Sequence, residues 1–344
     1  MSNFSNGSPN ASVSRQEHPR SEMRQLRGVV TPLITPLVDR DALDVAGLER
    51  LVEHVLAGGV HGLFLLGTTG EAAALSAALH REFIRHAMRF AAGRVPILVG
   101  VSDNSVVESL DLTREVADLG ATAIVLTTPS YLPVEQVEIV RYIRLFSHES
   151  PLPIILYNMP RLTSHWFSVE TIRQSLQFDN VIGLKDSSGD MSYFTEVRSL
   201  LAERPDWSLF TGPETLLADA VKLGAHGCVG GGSNVWPQLL VDIYHAALEN
   251  DQDRLDVLQE LLLEMGKIYQ FGTYATGVIR GIKCALEILG ICSGRMADPF
   301  EPCDASQRAV IERQLLKLGL LVGKGRVANP LAERSDASSL TPVD

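Results

Sequence analysis

The strongest constraint on the fold of this chain is an alternation of short apolar runs with amphipathic segments, which begins at Gly28 and repeats eight times. Each run is rich in Val, Ile and Leu and nearly continuous in apolarity, as is typical of parallel strands buried on both faces. The runs span residues 28–33, 62–67, 96–101, 122–128, 153–158, 181–186, 207–212 and 227–232. Eight strand–helix units at a spacing of ~30 residues predict an α/β fold, the closed (β/α)8 TIM barrel.

An open, doubly wound sheet is the alternative architecture. Such a sheet would normally carry a Gly-rich phosphate turn after its first strand, and VVTPLITPL (29–37) is no such turn. Capping residues support the alternation of strands and helices. Asp or Ser, whose side chains can accept hydrogen bonds from a first helical turn, precede three helical segments at Asp44, Ser76 and Ser168. Glycines expected to adopt left-handed C-caps follow helices at Gly58, Gly93, Gly120 and Gly224.

The length of 344 residues exceeds the ~250 residues of one barrel. The first 24 residues are polar and lack the apolar region of a signal peptide. After an eighth helix at about 236–249 no further strand is expected, and three segments look helical, at 251–270, 273–290 and 305–319. We therefore predict a disordered tail over 1–25, the catalytic barrel over 26–250, a C-terminal helical cap over 251–322 and a flexible tail over 323–344.

Charge and cysteine content restrict the partners. The formal charge is −11 and the isoelectric point is about 5.3, whereas nucleic acids and anionic membranes bind clustered Lys and Arg. No apolar run reaches the ~20 residues needed to span a membrane. The four cysteines are too far apart for a CxxC metal motif, and free thiols are typical of a reducing compartment. We expect a cytoplasmic protein that binds a small-molecule substrate, with no nucleic-acid or membrane partner.

Lys185 ends the sixth predicted strand, and the active site of such a barrel lies at the C-terminal ends of its strands. Because side chains alternate along a strand, Lys185 is expected to share a face with Val181 and Gly183, opposite Ile182 and Leu184. If that face is the barrel interior, burial disfavours the charged form of an amine, and a neutral amine is what attack on a ketone requires. A lysine paired with a carboxylate at the barrel rim is the structural alternative.

Three further strand ends carry polar or glycine-rich sequence. Tyr157 is expected to point inward with Ile155, where its hydroxyl could transfer protons, or else to anchor the strand end by one hydrogen bond. Thr68 and Thr69 lie between two glycines, so this turn could bind a carboxylate or be only a tight turn. The glycines of GGGSN (230–234) could cradle a phosphate, but we favour a substrate that approaches the backbone.

The histidines do not form a metal motif in the sequence. His61 and His226 fall just before the second and eighth strands, at the face opposite the expected site. Four others lie on helices: His54, His80, His86 and His245. A Ser-His-Asp hydrolase would need a nucleophile elbow, which the sequence lacks. We therefore expect chemistry by an amine, with no metal and no cofactor.

Four motifs, in order and on the expected strands, resemble one family. They are GTTGE (67–71), TPSY (128–131), YNMP (157–160) and GLKDSSGD (183–190). On these motifs the chain resembles the dihydrodipicolinate synthase / N-acetylneuraminate lyase family over roughly residues 26–320. The resemblance implies that Lys185 forms a Schiff base with pyruvate or a related 2-keto acid.

The resemblance also implies functions for other residues. Tyr157 would be the general acid and base, Thr68 and Thr69 would hold the substrate carboxylate, and Val229 would lie where the family uses a backbone carbonyl. Ser187, within the last motif, is included among the substrate-binding residues. Tyr131 matches a tyrosine that reaches the neighbouring subunit's site to complete a proton relay. This implies a homodimer, or a homotetramer built as a dimer of dimers.

The sequence departs from the synthases where the second substrate would bind. The synthases have YN-x-P-x-R-T-G, whereas YNMPRLTS places Leu162 at the arginine and Arg161 one position early. Leu162 is more similar to sialic-acid lyases and 2-keto-3-deoxy-sugar-acid aldolases, and Glu214 matches a hydroxyl-binding glutamate of the sialate lyases. Those lyases usually have Ser in place of Thr68 and Asp in place of Pro213.

The sequence thus predicts a lyase, a class I aldolase that cleaves or forms a carbon–carbon bond of a 2-keto-3-deoxy sugar acid or a related compound. The alternatives are dihydrodipicolinate synthase, which condenses pyruvate with aspartate semialdehyde, and an N-acetylneuraminate lyase or keto-deoxy sugar acid dehydratase. A non-catalytic regulator that binds a keto acid is an alternative of another class. The intact set of Thr68, Tyr157 and Lys185 argues against it.

Overall fold

The computed structural model describes residues 25–269, 271, 275–322 and 326–327 and contains a closed barrel of parallel strands. The barrel strands are β1 (Gly28–Pro32), β2 (Gly62–Leu65), β3 (Ile97–Gly100), β4 (Ala123–Thr127), β5 (Ile154–Asn158), β6 (Val181–Asp186), β7 (Ser208–Thr211) and β8 (Gly227–Cys228). Each pairs with the next, and β8 pairs with β1. The predicted barrel and its eight strands are confirmed.

Two glycines allow the barrel to close. Where β1 pairs with β8, Gly28 lies opposite Gly227 and Val29 opposite Cys228. A Cβ at Gly227 would lie 1.9 Å from the carbonyl oxygen of Gly28, so only a residue without a side chain allows the two backbones to approach this closely. The Gly28 N–H donates to the carbonyl of His226 at 2.8 Å, which extends the pairing by one bond.

Helices cover the outside of the barrel. They are α1 (Val45–Ala57), α2 (Ala77–Ala91), α3 (Val106–Asp118), α4 (Gln136–Glu149), α5 (Pro160–Thr163), α6 (Val169–Ser175), α7 (Met191–Leu200), α8 (Leu217–Lys222) and α9 (Pro237–Glu249). The predicted N-caps are confirmed, because the side chains of Asp44, Ser76 and Ser168 each accept a hydrogen bond from the backbone N–H three residues on.

The predicted left-handed glycines are confirmed at three positions and wrong at one. Gly93, Gly120 and Gly224 have positive φ angles. Gly58 has a φ of −76°, and the left-handed conformation falls instead on Gly59, whose φ is 79°. Two glycines in succession leave the position of the turn open in the sequence, since either can adopt it without steric cost.

The predicted cap helices are present as α10 (Gln252–Gly266), α11 (Ala275–Ile288) and α12 (Ala305–Lys317). The expectation that no strand follows is wrong: Leu321–Val322 pairs antiparallel with Arg326–Val327, a ladder too short to show a periodicity of two. The domain boundaries stay predictions, and most of both predicted tails lies outside the described residues. No helix in the described ranges combines the length and apolarity needed to cross a membrane.

A bulge on β6 changes which side chains point into the barrel. Ile154 pairs with Val181 and Ile155 with Gly183, so Ile182 is an extra residue on β6. Ile182 therefore packs against the interior cluster, whereas Val181 packs in the outer layer beneath the helices. The predicted faces of Val181 and Ile182 are wrong for this reason. Beyond the bulge, Leu184 packs outward as predicted.

Gly183 points into the barrel interior, where the neighbouring atoms leave no space for a side chain. A Cβ there would lie 2.3 Å from the carbonyl oxygen of Ser208 and 3.0 Å from Cδ1 of Ile155. We predict that Gly183→Ala lowers the free energy of unfolding by ~1–3 kcal/mol, because the added methyl forces β6 and β7 apart. The measurement is the urea midpoint of the purified protein.

Gly266→Ala is the matched control for this substitution. Gly266 ends α10, and a Cβ there would meet no atom within 4 Å. Alanine should leave stability unchanged or raise it, since it favours the helix. Equal effects of the two substitutions would contradict the close contact at Gly183.

Candidate active site

Lys185 lies inside the barrel mouth between aromatic rings. It stands on β6 in register with Tyr157 of β5 and Phe210 of β7, and only 5% of its surface is exposed. Its Nζ lies 3.9 Å from the centroid of the Tyr157 ring and 5.0 Å from that of Phe64. The ion pairs found among the described residues do not include Lys185, so the rim lysine paired with a carboxylate is not what this structure shows.

The hydroxyl of Tyr157 connects the amine to the turn after β2. It lies 3.5 Å from Oγ1 of Thr68 and also within hydrogen-bonding reach of Ser187 and Lys185. Burial acts to raise the pKa of Tyr157, but the charge of Lys185 and the three hydrogen bonds outweigh it, so the pKa is lowered. A phenol that ionises more easily than usual, beside an amine, can accept and return a proton.

The GTTG turn presents Thr68 and Thr69 to the same space. Within the turn, Gly70 N–H donates to the Gly67 carbonyl and Glu71 N–H to the Thr68 carbonyl, each at 3.0 Å. These bonds fix the turn without using the hydroxyls of the two threonines. The side chain of Thr69 faces the glycines after β8, since a Cβ at Gly231 would lie 3.9 Å from it. Hydroxyl and amide donors so arranged suit a carboxylate.

A buried ion pair connects the GTTGE turn to the helical cap. Glu71, at the end of GTTGE, pairs with Lys283 of α11, and both side chains are almost completely buried. Its Oε1 also accepts the N–H of Ala297 at 2.9 Å, while Lys283 donates to the carbonyl of Arg295 at 2.7 Å. Burial lowers the pKa of Lys283, and Glu71 acts against this. Lys283 was not among the predicted residues, although a lysine inside the apolar run GVIRGIKCALEI (277–288) is a signal for a buried partner.

Contacts around β6 and β8 position further groups next to Lys185 and Tyr157. Asp186 is buried and accepts a hydrogen bond from Nδ2 of Asn158 at 2.8 Å, which ties β6 to β5; burial raises its pKa. A Cβ at Gly212 would collide with Oγ of Ser187, so this glycine leaves room for that hydroxyl. Val229 belongs to the interior cluster that also contains Tyr157.

Glu214 lies in the turn after β7, and its side chain contacts the glycine-rich segment after β8. Its Oε2 accepts the N–H of Gly232 at 2.6 Å, and a Cβ at Gly232 would lie 2.6 Å from both Oε1 of Glu214 and the hydroxyl of Tyr269. One donor of the possible phosphate cradle is therefore already used. Burial raises the pKa of Glu214 from 4.5 to about 7, against hydrogen bonds from Gly232 and Tyr269. The carboxyl lines a cavity of about 430 Å³.

Three predicted residues lie away from the amine. Tyr131 is 83% exposed on the loop after β4, where its N–H donates to Oδ1 of Asn104 at 3.1 Å. Arg161 and Leu162 are exposed on the short helix α5, Leu162 to 47%. The structure thus brings together Lys185, Tyr157, Thr68, Thr69, Val229, Ser187 and, at the side, Glu214. Phe64, whose ring lies beside the Lys185 amine, was not among the predicted site residues. Its inward position follows from the alternation of side chains along β2.

Comparison with known proteins gives consistent matches. The model of the dihydrodipicolinate synthetase family matches residues 25–318. The 4-hydroxy-tetrahydrodipicolinate synthase of Phenylobacterium zucineum is 33% identical over 299 residues, which cover 86% of this chain and 98% of that protein. The solved dihydrodipicolinate synthase of Bacteroides thetaiotaomicron is 43% identical, with a TM-score of 0.83 and coverage of 86% and 99%. YagE of E. coli K12, a prophage protein of the same family solved in complex with pyruvate, is 26% identical with a TM-score of 0.80 and coverage of 85% and 98%.

The chain therefore belongs to the dihydrodipicolinate synthetase family. Its class is that of the pyruvate-dependent lyases, which confirms the predicted class I aldolase and the resemblance on which it depended.

The raised pKa of Glu214 predicts a dependence of stability on pH. The folded protein binds this proton more tightly than the unfolded chain, so the stabilisation is complete below pH 4.5 and is lost as the pH rises through about 7. Glu214→Gln removes the ionisation. We predict that its stability relative to wild type rises by roughly 1–3 kcal/mol across this range.

Urea unfolding of both proteins at several pH values measures this difference. Glu260→Gln, at an exposed position of α10, is the control for loss of one negative charge. A parallel pH dependence in wild type and Glu214→Gln would show that Glu214 ionises as easily in the fold as out of it.

Proposed function

We propose that Lys185 is the Schiff-base residue of this lyase and that Tyr157 and Thr68 transfer its protons. The observation that carries the proposal is the position of the buried Lys185 amine 3.9 Å from the ring of Tyr157, whose hydroxyl reaches Thr68. No other lysine of the described chain lies at a strand end inside the barrel.

The first half of the reaction follows from these contacts. Nζ of Lys185 attacks the C2 carbonyl of pyruvate, and Tyr157 donates a proton to the developing alkoxide. Loss of water, protonated through the same hydroxyl, gives the imine. The substrate carboxylate binds the N–H and hydroxyl groups of Thr68 and Thr69, with Ser187 and the Val229 carbonyl beside it. This fixes C3 near the phenolate of Tyr157, which can remove a proton there to form the enamine.

The second substrate approaches from the barrel mouth. We propose an aldehyde derived from a 2-keto-3-deoxy sugar acid, because the Glu214 carboxyl, which can accept hydrogen bonds from hydroxyl groups, lines a cavity beside the glycines after β8. In the synthases, the resemblance places a carboxylate-binding arginine at the position of Leu162. The neighbouring basic residue here, Arg161, is exposed on α5, which favours a second substrate other than the synthases' aldehyde. A second candidate is 4-hydroxy-tetrahydrodipicolinate synthesis, favoured by the 43% identity to the Bacteroides thetaiotaomicron synthase.

A substrate panel separates these two candidates. It contains aspartate semialdehyde with pyruvate, N-acetylneuraminate, 2-keto-3-deoxygluconate and 4-hydroxy-2-oxoglutarate. Turnover of a keto-deoxy sugar acid, reduced in Glu214→Gln through KM, supports the proposed aldehyde. Turnover of aspartate semialdehyde by wild type and its loss in Arg161→Ala would establish the synthase instead.

The Schiff base itself predicts a covalent adduct. Pyruvate followed by borohydride should add a reduced pyruvyl group to Lys185 alone, as peptide mapping by mass spectrometry can detect. Lys185→Arg should give no adduct and lose at least ~10³-fold in kcat, because guanidinium cannot form the imine. Lys222→Arg, at the end of α8, is the matched control and should retain both. An adduct on another lysine would refute the assignment.

We also propose that Tyr131 acts in the site of a second subunit, within a homodimer or a homotetramer. Its 83% exposure, beside exposed Leu132 and Val137, supports a surface that a second copy covers. The proposal includes a cytoplasmic location, which suits a protein whose four cysteines are free thiols.

Mixed subunits test the position of Tyr131. Lys185→Ala and Tyr131→Phe dimers should each be impaired, and refolding them together should restore about one quarter of wild-type activity. This follows because half of the dimers are mixed and each mixed dimer has one complete site. Activity no higher than the average of the two parents would contradict the exchange of Tyr131 between subunits.

A further inference from the structure

Two cysteines that the proposed reaction does not use lie side by side at the edge of the helical cap. Cys284 is on α11 and is 4% exposed, whereas Cys303 is half-buried in the segment that leads to α12. The Cys303 sulfur lies 3.8 Å from the carbonyl oxygen of Arg280, the group to which the Cys284 N–H donates in an α-helix. Cys303 is thereby placed over the helical turn that carries Cys284.

The segment that carries Cys303 is attached to α11 by a second contact. Nε of Arg280 donates to the carbonyl of Glu301 at 2.7 Å. The Cys303 S–H can donate to the Arg280 carbonyl, and the two thiols are close enough for each to influence the ionisation of the other. Because Cys303 lies over the helical turn that carries Cys284, side-chain rotation can bring the two sulfurs to bonding distance.

The surroundings of Cys284 favour its thiolate. The hydrogen bond from Cys303, followed by the guanidinium of Arg308, lowers the pKa of Cys284 against the effect of burial. Burial instead raises the pKa of Cys292 to about 12 and raises that of Cys228. All four cysteines are in the described part of the chain, and Cys284 is the one whose ionisation is favoured.

Both sulfurs line a surface cavity of about 700 Å³, large enough for a peptide-sized molecule. Its charged side chains have both signs, as suits a zwitterion with several carboxylates: Arg40, Arg295, Arg308, Glu287, Asp298 and Glu301. No group of three or more His, Cys, Asp or Glu side chains in the described ranges is arranged to bind a metal, which favours thiol chemistry over metal binding at this pair.

We propose that Cys284 and Cys303 form a dithiol site that undergoes exchange with small disulfides of the glutathione class. The Cys284 thiolate attacks one sulfur of the small disulfide, whose S–S bond breaks and releases one small thiolate. The Cys303 thiol then loses its proton and attacks the Cys284 sulfur, which releases the second small thiol. The protein dithiol is oxidised to a disulfide by two electrons, and the small disulfide is reduced to two thiols.

Thiol mapping of the reduced full-length protein tests the proposal. The protein is equilibrated with oxidised and reduced glutathione at a series of ratios, quenched with acid, alkylated with N-ethylmaleimide after denaturation and digested. We expect a Cys284–Cys303 linked peptide that increases with the proportion of oxidised glutathione, together with alkylated Cys228 and Cys292. Alkylation of Cys284 and Cys303 at every ratio, or linkage to another cysteine, would overturn the proposal.

Single substitutions test the order of the two steps. Cys303→Ser should accumulate glutathione on Cys284, because the resolving thiol is absent. Cys284→Ser should react at least ~10-fold more slowly, since the favoured thiolate is missing. Cys292→Ser, at a buried thiol whose pKa is raised, should form the Cys284–Cys303 linkage at the wild-type rate. Glutathione found on Cys303 alone in wild type would contradict Cys284 as the attacking residue.

Discussion

Where β1 meets β8, two backbones lie so close together that β8 cannot carry a side chain at the contact. A Cβ at Gly227 would overlap Gly28, and one at Gly28 would overlap the ring of His61. The turn after β8 is then fastened to β1 by Asn234, whose amide accepts from Ile34 N–H at 3.1 Å and donates to the Pro32 carbonyl at 2.9 Å. This closure places the glycines after β8 beside Thr69, in the turn that follows β2.

Aromatic rings make up much of the environment of Lys185, and the Tyr157 hydroxyl is a polar group within its reach. Aromatic faces of Phe64 and Tyr157 surround the amine, and attraction to their π-systems partly replaces the water that burial removes. The amine in turn stabilises the phenolate of Tyr157. The ionisation of Tyr157 is therefore favoured by its position beside Lys185.

Local patterns were sufficient to predict the barrel and the centre of the site. Runs of Val, Ile and Leu mark each strand, and residues at strand ends such as Tyr157 and Lys185 converge because parallel strands end at the same edge. The faces of Val181 and Ile182 could not be predicted, since a bulge depends on how β6 fits its neighbours and leaves no periodic signal. The pairing of Glu71 with Lys283, and of Cys284 with Cys303, depends on packing between distant segments. The exposure of Arg161 depends on how the short helix α5 is oriented.

The ion pair of Glu71 and Lys283 joins the barrel to the cap with both charges out of water. Removal of either partner would leave an uncompensated buried charge, whereas joint replacement by apolar side chains could be nearly neutral. The two positions are thus epistatic, and a lineage can cross from the charged pair to an apolar one only through a strongly destabilised intermediate. Related sequences should therefore retain both charges or neither, and an alignment should show these columns covarying despite their distance along the chain.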